Sequence, residues 1–102
     1  MNAAAAPVFA RVEGPNGIVD YQFHCPGCGF SHSVRVEGMP SPWKFNGDVV
    51  RPTVTPSILV RWDFGEKREP KVCHSFVTDG QIRFLNDCTH KLAGQTTPLE
   101  PV

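Results

Sequence analysis

The stretch His24-Cys25-Pro26-Gly27-Cys28-Gly29 indicates how this chain folds. Its two cysteines lie three positions apart, and the proline and glycine between them favour a tight turn that points both sulfur atoms into one concavity. Such a knuckle supplies half of a tetrahedral metal site. The other half must come from distant residues, and the only further cysteines are Cys73 and Cys88. We therefore expect one structural zinc ion that joins the knuckle to a distant hairpin.

The composition describes a small domain with many turns. The chain has 102 residues, of which 10 are proline and 9 are glycine, and 40% are hydrophobic. A chain of this length forms one domain with a small core, and small domains are commonly stabilised by a structural metal. We expect a flexible N-terminus over residues 1–7, a zinc-bound β domain over 8–96 and an extended tail over 97–102.

The net charge and the hydropathy of the chain limit the cellular locations and the classes of partner that we expect. The 10 basic and 10 acidic residues give a net charge of zero, which disfavours a dedicated nucleic-acid-binding protein without excluding a local basic patch. No apolar run reaches membrane-spanning length, and no signal peptide is visible. We expect a cytoplasmic protein without a membrane partner. Thiols stay reduced there, so the four cysteines are interpreted as metal ligands rather than as two disulfides. The oligomeric state is not predicted.

Alternation of apolar and polar residues predicts short strands. Residues 7–14 and 18–23 precede the knuckle and 31–37 follow it, so the knuckle lies at the tip of a hairpin, as in zinc ribbons. Two prolines within 51–57 predict an edge strand or an extended loop, and the polar run 63–70 predicts an exposed loop. No segment has a helical period. The expected fold is all-β: a small single domain of β-hairpins joined by a zinc site, zinc-ribbon-like, with little helix.

The dipeptide Asp79-Gly80 predicts the clearest hairpin. It favours a type I′ turn that joins strands over residues 72–78 and 81–86. In the register that follows, successive side chains alternate between two faces. Cys73 then lies on the more apolar face, and the same parity carries Cys88 to that side.

These arguments predict four thiolate ligands for one zinc ion: Cys25, Cys28, Cys73 and Cys88. If one of the last two is instead a buried free cysteine, a histidine would complete the site. His90 is one alternative ligand, because it follows the hairpin and its direction is not fixed by parity. His74 is the other, although its parity is opposite to that of Cys73 and only a bulge would turn it inward. His24 and His32 flank the knuckle and are expected at the surface or as hydrogen-bond partners of the ligands.

The same residues disfavour catalysis. A redox role for the knuckle is disfavoured because redox pairs begin a helix, and no helix is predicted after Cys28. Four protein ligands leave zinc without an open position for water, which favours a protein that is not an enzyme. The alternative is a hydrolytic zinc centre near His74, Asp87 and His90, although Asp87 is more readily interpreted as a turn residue or an ion-pair partner. No Ser-His-Asp order stands out in the sequence.

The combination of motifs resembles a family of small phage and prophage zinc-knuckle proteins that are often mislabelled "ammonia monooxygenase". The resemblance extends over most of the chain and depends on five motifs, namely residues 21–28, 43–47, 52–57, 73–77 with Gly80 and Ile82, and 87–90 with 92–94. The oxygenase label disagrees with the chemistry, because such reactions require copper or iron ligands and a cysteine knuckle suits zinc. The resemblance implies an accessory protein in the cytoplasm of a bacterial host, with no known reaction.

The expected function is therefore that of a phage-encoded, zinc-binding accessory protein. It would bind a host protein, either to redirect host machinery or to block a defence system. Two alternatives stay open at this point: a small zinc-dependent hydrolase and a nucleic-acid-binding zinc ribbon.

Overall fold

A computed structural model describes residues 6–38 and 43–102, which form two antiparallel β-sheets. The first sheet has the order β1-β2-β3, with β1 at Ala10–Glu13, β2 at Val19–His24 and β3 at Ser31–Glu37. A 3₁₀ turn at Pro15–Gly17 links β1 to β2. The second sheet has five strands in sequential order: β4 Lys44–Phe45, β5 Val54–Phe64, β6 Glu69–Thr78, β7 Gln81–Phe84 and β8 Thr96–Pro98. The predicted all-β class is confirmed, and within the described ranges no helix is long and apolar enough to cross a membrane.

The knuckle lies at the tip of the β2–β3 hairpin, as the sequence predicts. Phe23 pairs with His32 and His24 with Ser31, directly before and after the turn. The Gly29 N–H donates to the Cys25 carbonyl at 2.9 Å, which closes the turn. The first sheet therefore presents the knuckle at one end.

The β6–β7 hairpin has the predicted register. Thr78 pairs with Gln81, and Asp79 and Gly80 have φ angles of 51° and 77°, as a type I′ turn requires. Alternate residues of β6 therefore face opposite sides of the sheet. Cys73 is 1% exposed on the side that we call the inner face, whereas His74 lies on the partly exposed outer face.

The inner face packs against the first sheet. One core contains side chains of both sheets, and its largest fully buried members are Phe9, Phe23, Phe84, Ile82, Val34, Val54 and Val77. The rings of Phe9 and Phe23 stack with centroids 5.4 Å apart. Burial of these apolar side chains is the main stabilising contribution apart from any metal.

The predicted exposed loop over residues 63–70 is wrong for half of its length. Pairing between β5 and β6 continues to Phe64 opposite Glu69, so only residues 65–68 form the turn. A two-stranded ribbon that projects into solvent accepts polar side chains on both faces, and the polar run therefore does not end the strands. Within 51–57, β5 begins at Val54. Most of the predicted N-terminal segment 1–7 lies outside the described residues.

Candidate functional site

Four potential metal ligands meet on the inner side of the knuckle. The ligand atoms of this group all lie within 4.8 Å of one another, and the group consists of Cys25, Cys28, His32 and Cys73. The hairpin tip supplies the first two residues and β3 supplies the histidine, while β6 brings the last one from the other sheet. The group therefore joins the two sheets, as the sequence predicts for Cys25, Cys28 and Cys73.

Its geometry fits a tetrahedral ion. The sulfur atoms of Cys25 and Cys73 are 3.9 Å apart, and two thiolates on one zinc ion with ordinary bond lengths would be about 3.8 Å apart. His32 is 5% exposed, and its Nε2 has no hydrogen-bond partner among the described residues. A buried nitrogen without a partner is costly unless it binds something. The expectation that His32 lies at the surface is wrong, because its side chain points inward opposite Phe23.

The thiols influence one another's ionisation. A hydrogen bond with Cys73 lowers the pKa of Cys25 to about 3, and the nearby His32 ring acts in the same direction. Burial raises the pKa of Cys28 to about 12, and the charge on Cys25 adds to this. The same hydrogen bond, seen from Cys73, raises the pKa of Cys73, together with burial. Neighbouring thiols do not all ionise unless a positive charge lies among them, and a divalent cation supplies that charge.

Cys88 lies in a second group, with Cys73 and His90. Its sulfur accepts a hydrogen bond from the His74 N–H at 3.2 Å, and its thiol donates to the His74 carbonyl at 3.2 Å. The His90 Nδ1 accepts from the Leu92 N–H, while its Nε2 is buried without a partner in the described part of the chain. The four-cysteine ligand set thus stays a prediction, beside the set of three cysteines and His32 that the geometry groups together.

The outer face carries a different cluster, centred on His74. Its Nδ1 lies 3.0 Å from an Asp87 carboxylate oxygen, and its Nε2 lies 2.9 Å from Ser57 Oγ. Both ring nitrogens are therefore engaged, and His74 belongs to neither metal group. His24 likewise lies outside both groups.

The partners of His74 determine where its proton lies. An ionised carboxylate only accepts hydrogen bonds, so Nδ1 carries the ring proton and donates it to Asp87. In the neutral ring Nε2 then has a free lone pair, which accepts the Ser57 hydroxyl proton. A serine, a histidine and an aspartate linked in this way form the catalytic triad of serine hydrolases.

Strand register places the three triad residues side by side. Leu59 of β5 pairs with His74, and Ser57 lies two residues earlier on the same outer face. The chain leaves β7 in a turn over residues 85–88, closed by a hydrogen bond of 3.2 Å from the Cys88 N–H to the Leu85 carbonyl. Asp87 occupies this turn, so the triad crosses β5, β6 and the end of β7.

Sequence reasoning missed Ser57. It follows Pro56, and the register of β5 shifts between Val54 and Ile58, so counting along the strand does not show which face the serine occupies. His74 and Asp87 were considered, but around zinc rather than beside a serine. The signal that could have found them is the parity of the β6–β7 hairpin, which places His74 opposite Leu85 and next to Asp87.

Comparison with family models matches residues 6–85 to a model described as "Bacterial ubiquitination-like system serine protease (BubE)". No curated protein and no solved structure gives a significant match. The expected phage-encoded protein that binds a host protein is wrong, because the family model describes a protease of a bacterial system. The zinc-hydrolase and zinc-ribbon alternatives do not describe a serine protease either. Since the match covers most of the 102 residues, the chain belongs to the BubE family.

Proposed function

We propose that this protein is a serine peptidase of a bacterial ubiquitination-like system and that Ser57, His74 and Asp87 are its catalytic residues. The observation that supports this most directly is the pair of hydrogen bonds at the two nitrogens of His74, 2.9 Å to the serine and 3.0 Å to the aspartate. The description of the family, a serine protease, agrees with this chemistry.

The reaction follows from the hydrogen bonds. Ser57 Oγ attacks the carbonyl carbon of the substrate while its proton passes to His74 Nε2. Asp87 holds Nδ1–H and stabilises the imidazolium that forms. The histidine then gives the proton to the leaving amine, and the C–N bond breaks. Water, deprotonated by His74, hydrolyses the acyl-serine ester and regenerates the hydroxyl.

The inner cluster would hold one structural zinc ion. The proposed ligands are Cys25, Cys28, His32 and Cys73, a donor set typical of structural zinc. Four protein ligands leave no open position for water, so the ion would stabilise the fold and take no part in the hydrolysis. The ion would join the knuckle to β6, the strand that also carries His74.

Labelling with an alkyl fluorophosphonate tests the peptidase proposal, because this reagent forms a covalent bond with activated serines without requiring a known substrate. We expect stoichiometric labelling of the wild type on Ser57, and labelling at least about 10³-fold slower in Ser57→Ala. The matched control is Ser33→Ala, which removes an exposed hydroxyl of β3 far from His74 in sequence and should be labelled like the wild type.

Two results would contradict the proposal. One is a folded, metal-loaded wild type that does not react with the fluorophosphonate. The other is labelling that persists in Ser57→Ala at a different residue, which would assign the nucleophile elsewhere.

A further inference from the structure

The strand that carries Ser57 has an open edge. β4 pairs with β5 only at Val54 and Thr55, and beyond them β5 pairs with β6 on one side. Within residues 6–38 and 43–102, no strand pairs with the other side of β5 after Thr55. Open edges of this length are usually covered or blocked, because their free backbone groups bind other extended chains.

The hydrogen bonds of β6 show which backbone groups of β5 point away from β6. The His74 carbonyl accepts from the Leu85 N–H at 2.9 Å and the His74 N–H donates to Cys88 Sγ, so both groups of His74 point away from β5. The Val72 carbonyl accepts from the Thr89 N–H, and the Val72 N–H donates to the Thr89 hydroxyl, so both groups of Val72 also point away from β5.

In an antiparallel pair, residues opposite each other both point their N–H and C=O groups toward the partner strand or both point them away. Leu59 is opposite His74 and Arg61 is opposite Val72. Leu59 and Arg61 therefore direct their N–H and C=O groups to the open edge. These four groups belong to residues that are two positions apart, and an extended polypeptide presents its own N–H and C=O groups to one side with the same two-residue repeat.

The nucleophile lies at the start of this free stretch. Ser57 Oγ contacts His74, which lies on the neighbouring strand β6. A peptide in the plane of the sheet beside β5 would lie one strand spacing, about 4.8 Å, from the backbone of Ser57. The Leu59 side chain, 45% exposed on the same face, offers it an apolar contact.

We propose that the free edge of β5 binds the substrate polypeptide as an additional antiparallel strand. This inference rests on the proposed peptidase function. Every strand pair of the second sheet is antiparallel, and antiparallel pairing is the more stable kind. In that direction the residues that precede the scissile bond lie along Arg61 and Leu59, and the scissile carbonyl reaches Ser57. The substrate class is therefore an extended, unfolded segment of a protein.

Peptide phosphonates test this edge on the wild-type protein. The probes are acetylated penta-alanines that end in a diphenyl phosphonate, which reacts with an activated serine by loss of phenoxide, and each probe carries one N-methylated amide. Methylation removes one donor, so we expect the reaction to slow by about tenfold or more for every second amide and to change little for the amides between them.

A pair of variants provides a second measurement. Proline at position 61 lacks the N–H that faces the edge, whereas alanine keeps it, and edge positions accept proline. The measured quantity is the rate with the unmethylated peptide phosphonate divided by the rate with alkyl fluorophosphonate, which corrects for any change at Ser57. We expect this ratio to be about tenfold lower in Arg61→Pro than in Arg61→Ala.

The outcomes separate the two proposals. If fluorophosphonate labels Ser57 but peptide phosphonates do not react, or if N-methylation has no alternating effect, the edge proposal is wrong and the peptidase proposal stands. A dimer in light scattering that Arg61→Pro, but not Arg61→Ala, converts to a monomer would also overturn it, because the edge would then be covered by a second copy. If neither reagent labels the protein, the peptidase proposal itself fails.

Discussion

The two faces of β6 differ in what holds their functional groups in place. Cys73 and His74 are consecutive residues, yet the first meets the fully buried Cys25 and the partly buried Cys28, and the second belongs to a triad whose aspartate side chain is 55% exposed. The inner cluster crosses between sheets and brings together groups that repel one another once ionised. The outer triad lies within one sheet and is held by neutral and charged hydrogen bonds. The inner cluster would therefore need a cation to keep its thiols ionised, whereas the outer triad depends on strand register.

Because of this difference, the position of the outer triad depends on the inner cluster. A change in the position of Cys73 moves the adjacent peptide, and His74 with it. A change in the triad, by contrast, should leave the buried core and the proposed metal ligands in place. The comparison predicts an asymmetry: loss of the metal should abolish both structure and activity, and loss of a triad residue should abolish activity alone.

Metal removal has the largest expected effect. Structural zinc contributes about 10–16 kcal/mol of apparent binding free energy in small domains, which is comparable to the whole stability of a domain, about 5–15 kcal/mol. We expect chelated protein, or Cys25→Ser, to lose its cooperative thermal transition in circular dichroism and its fluorophosphonate labelling together. Metal-free protein that keeps its melting temperature and its labelling would show that the inner cluster is not a structural metal site.

The pH dependence of metal binding sharpens this prediction. At pH 7 the raised pKa values of Cys28 and Cys73 keep these thiols protonated, whereas the lowered pKa of Cys25 keeps it ionised. Zinc binds thiolates, so uptake should release about two protons, and affinity should rise with pH. A pH-indicator titration measures the release. An affinity that does not change over roughly two pH units around neutrality would contradict the assignment of these ligands.

Asp87→Asn should have the next largest effect, and on activity alone. The amide of asparagine can donate to Nδ1, which moves the ring proton to Nε2, and Nε2 then no longer accepts the serine proton. We expect fluorophosphonate labelling to fall by about 10³–10⁴-fold and the free energy of unfolding to change by less than about 0.5 kcal/mol. Asp63→Asn, on the exposed β5–β6 ribbon, is the matched control. A decrease of less than tenfold would remove Asp87 from the triad.

Substitution of Cys88 should have the smallest effect, and it distinguishes the two candidate ligand sets. This residue belongs to the second group of potential ligands and also contacts the backbone of His74. Its thiol contacts both backbone groups of His74, so Cys88→Ala should lower the free energy of unfolding by about 1–3 kcal/mol, while Cys88→Ser, which retains a donor and an acceptor, should lose less. If His32 is the fourth ligand, both variants keep stoichiometric zinc in elemental analysis, and His32→Ala loses it. The opposite result would support the four-cysteine set.

Local sequence was sufficient for the hairpins and for three of the four residues of the inner cluster. The Asp79-Gly80 turn fixed the register of β6 and β7, which placed Cys73 inside and His74 outside, and the knuckle predicted the paired thiols. The inward direction of His32 was also available in the sequence, because alternation along β3 places this residue on the same face as Val34 and Val36, which belong to or pack against the core. The proposed catalytic serine was missed because the register shift in β5 hides the direction of its side chain.

The sequence by itself therefore determined the fold class, the knuckle hairpin and the two faces of β6, because turn chemistry and the two-residue period of a strand act between near neighbours. Only the tertiary structure decided which residues meet. Ser57, His74 and Asp87 come from three separate segments, and the inner cluster comes from both sheets. Pairing between distant strands depends on how the whole core packs, and no local pattern encodes that packing.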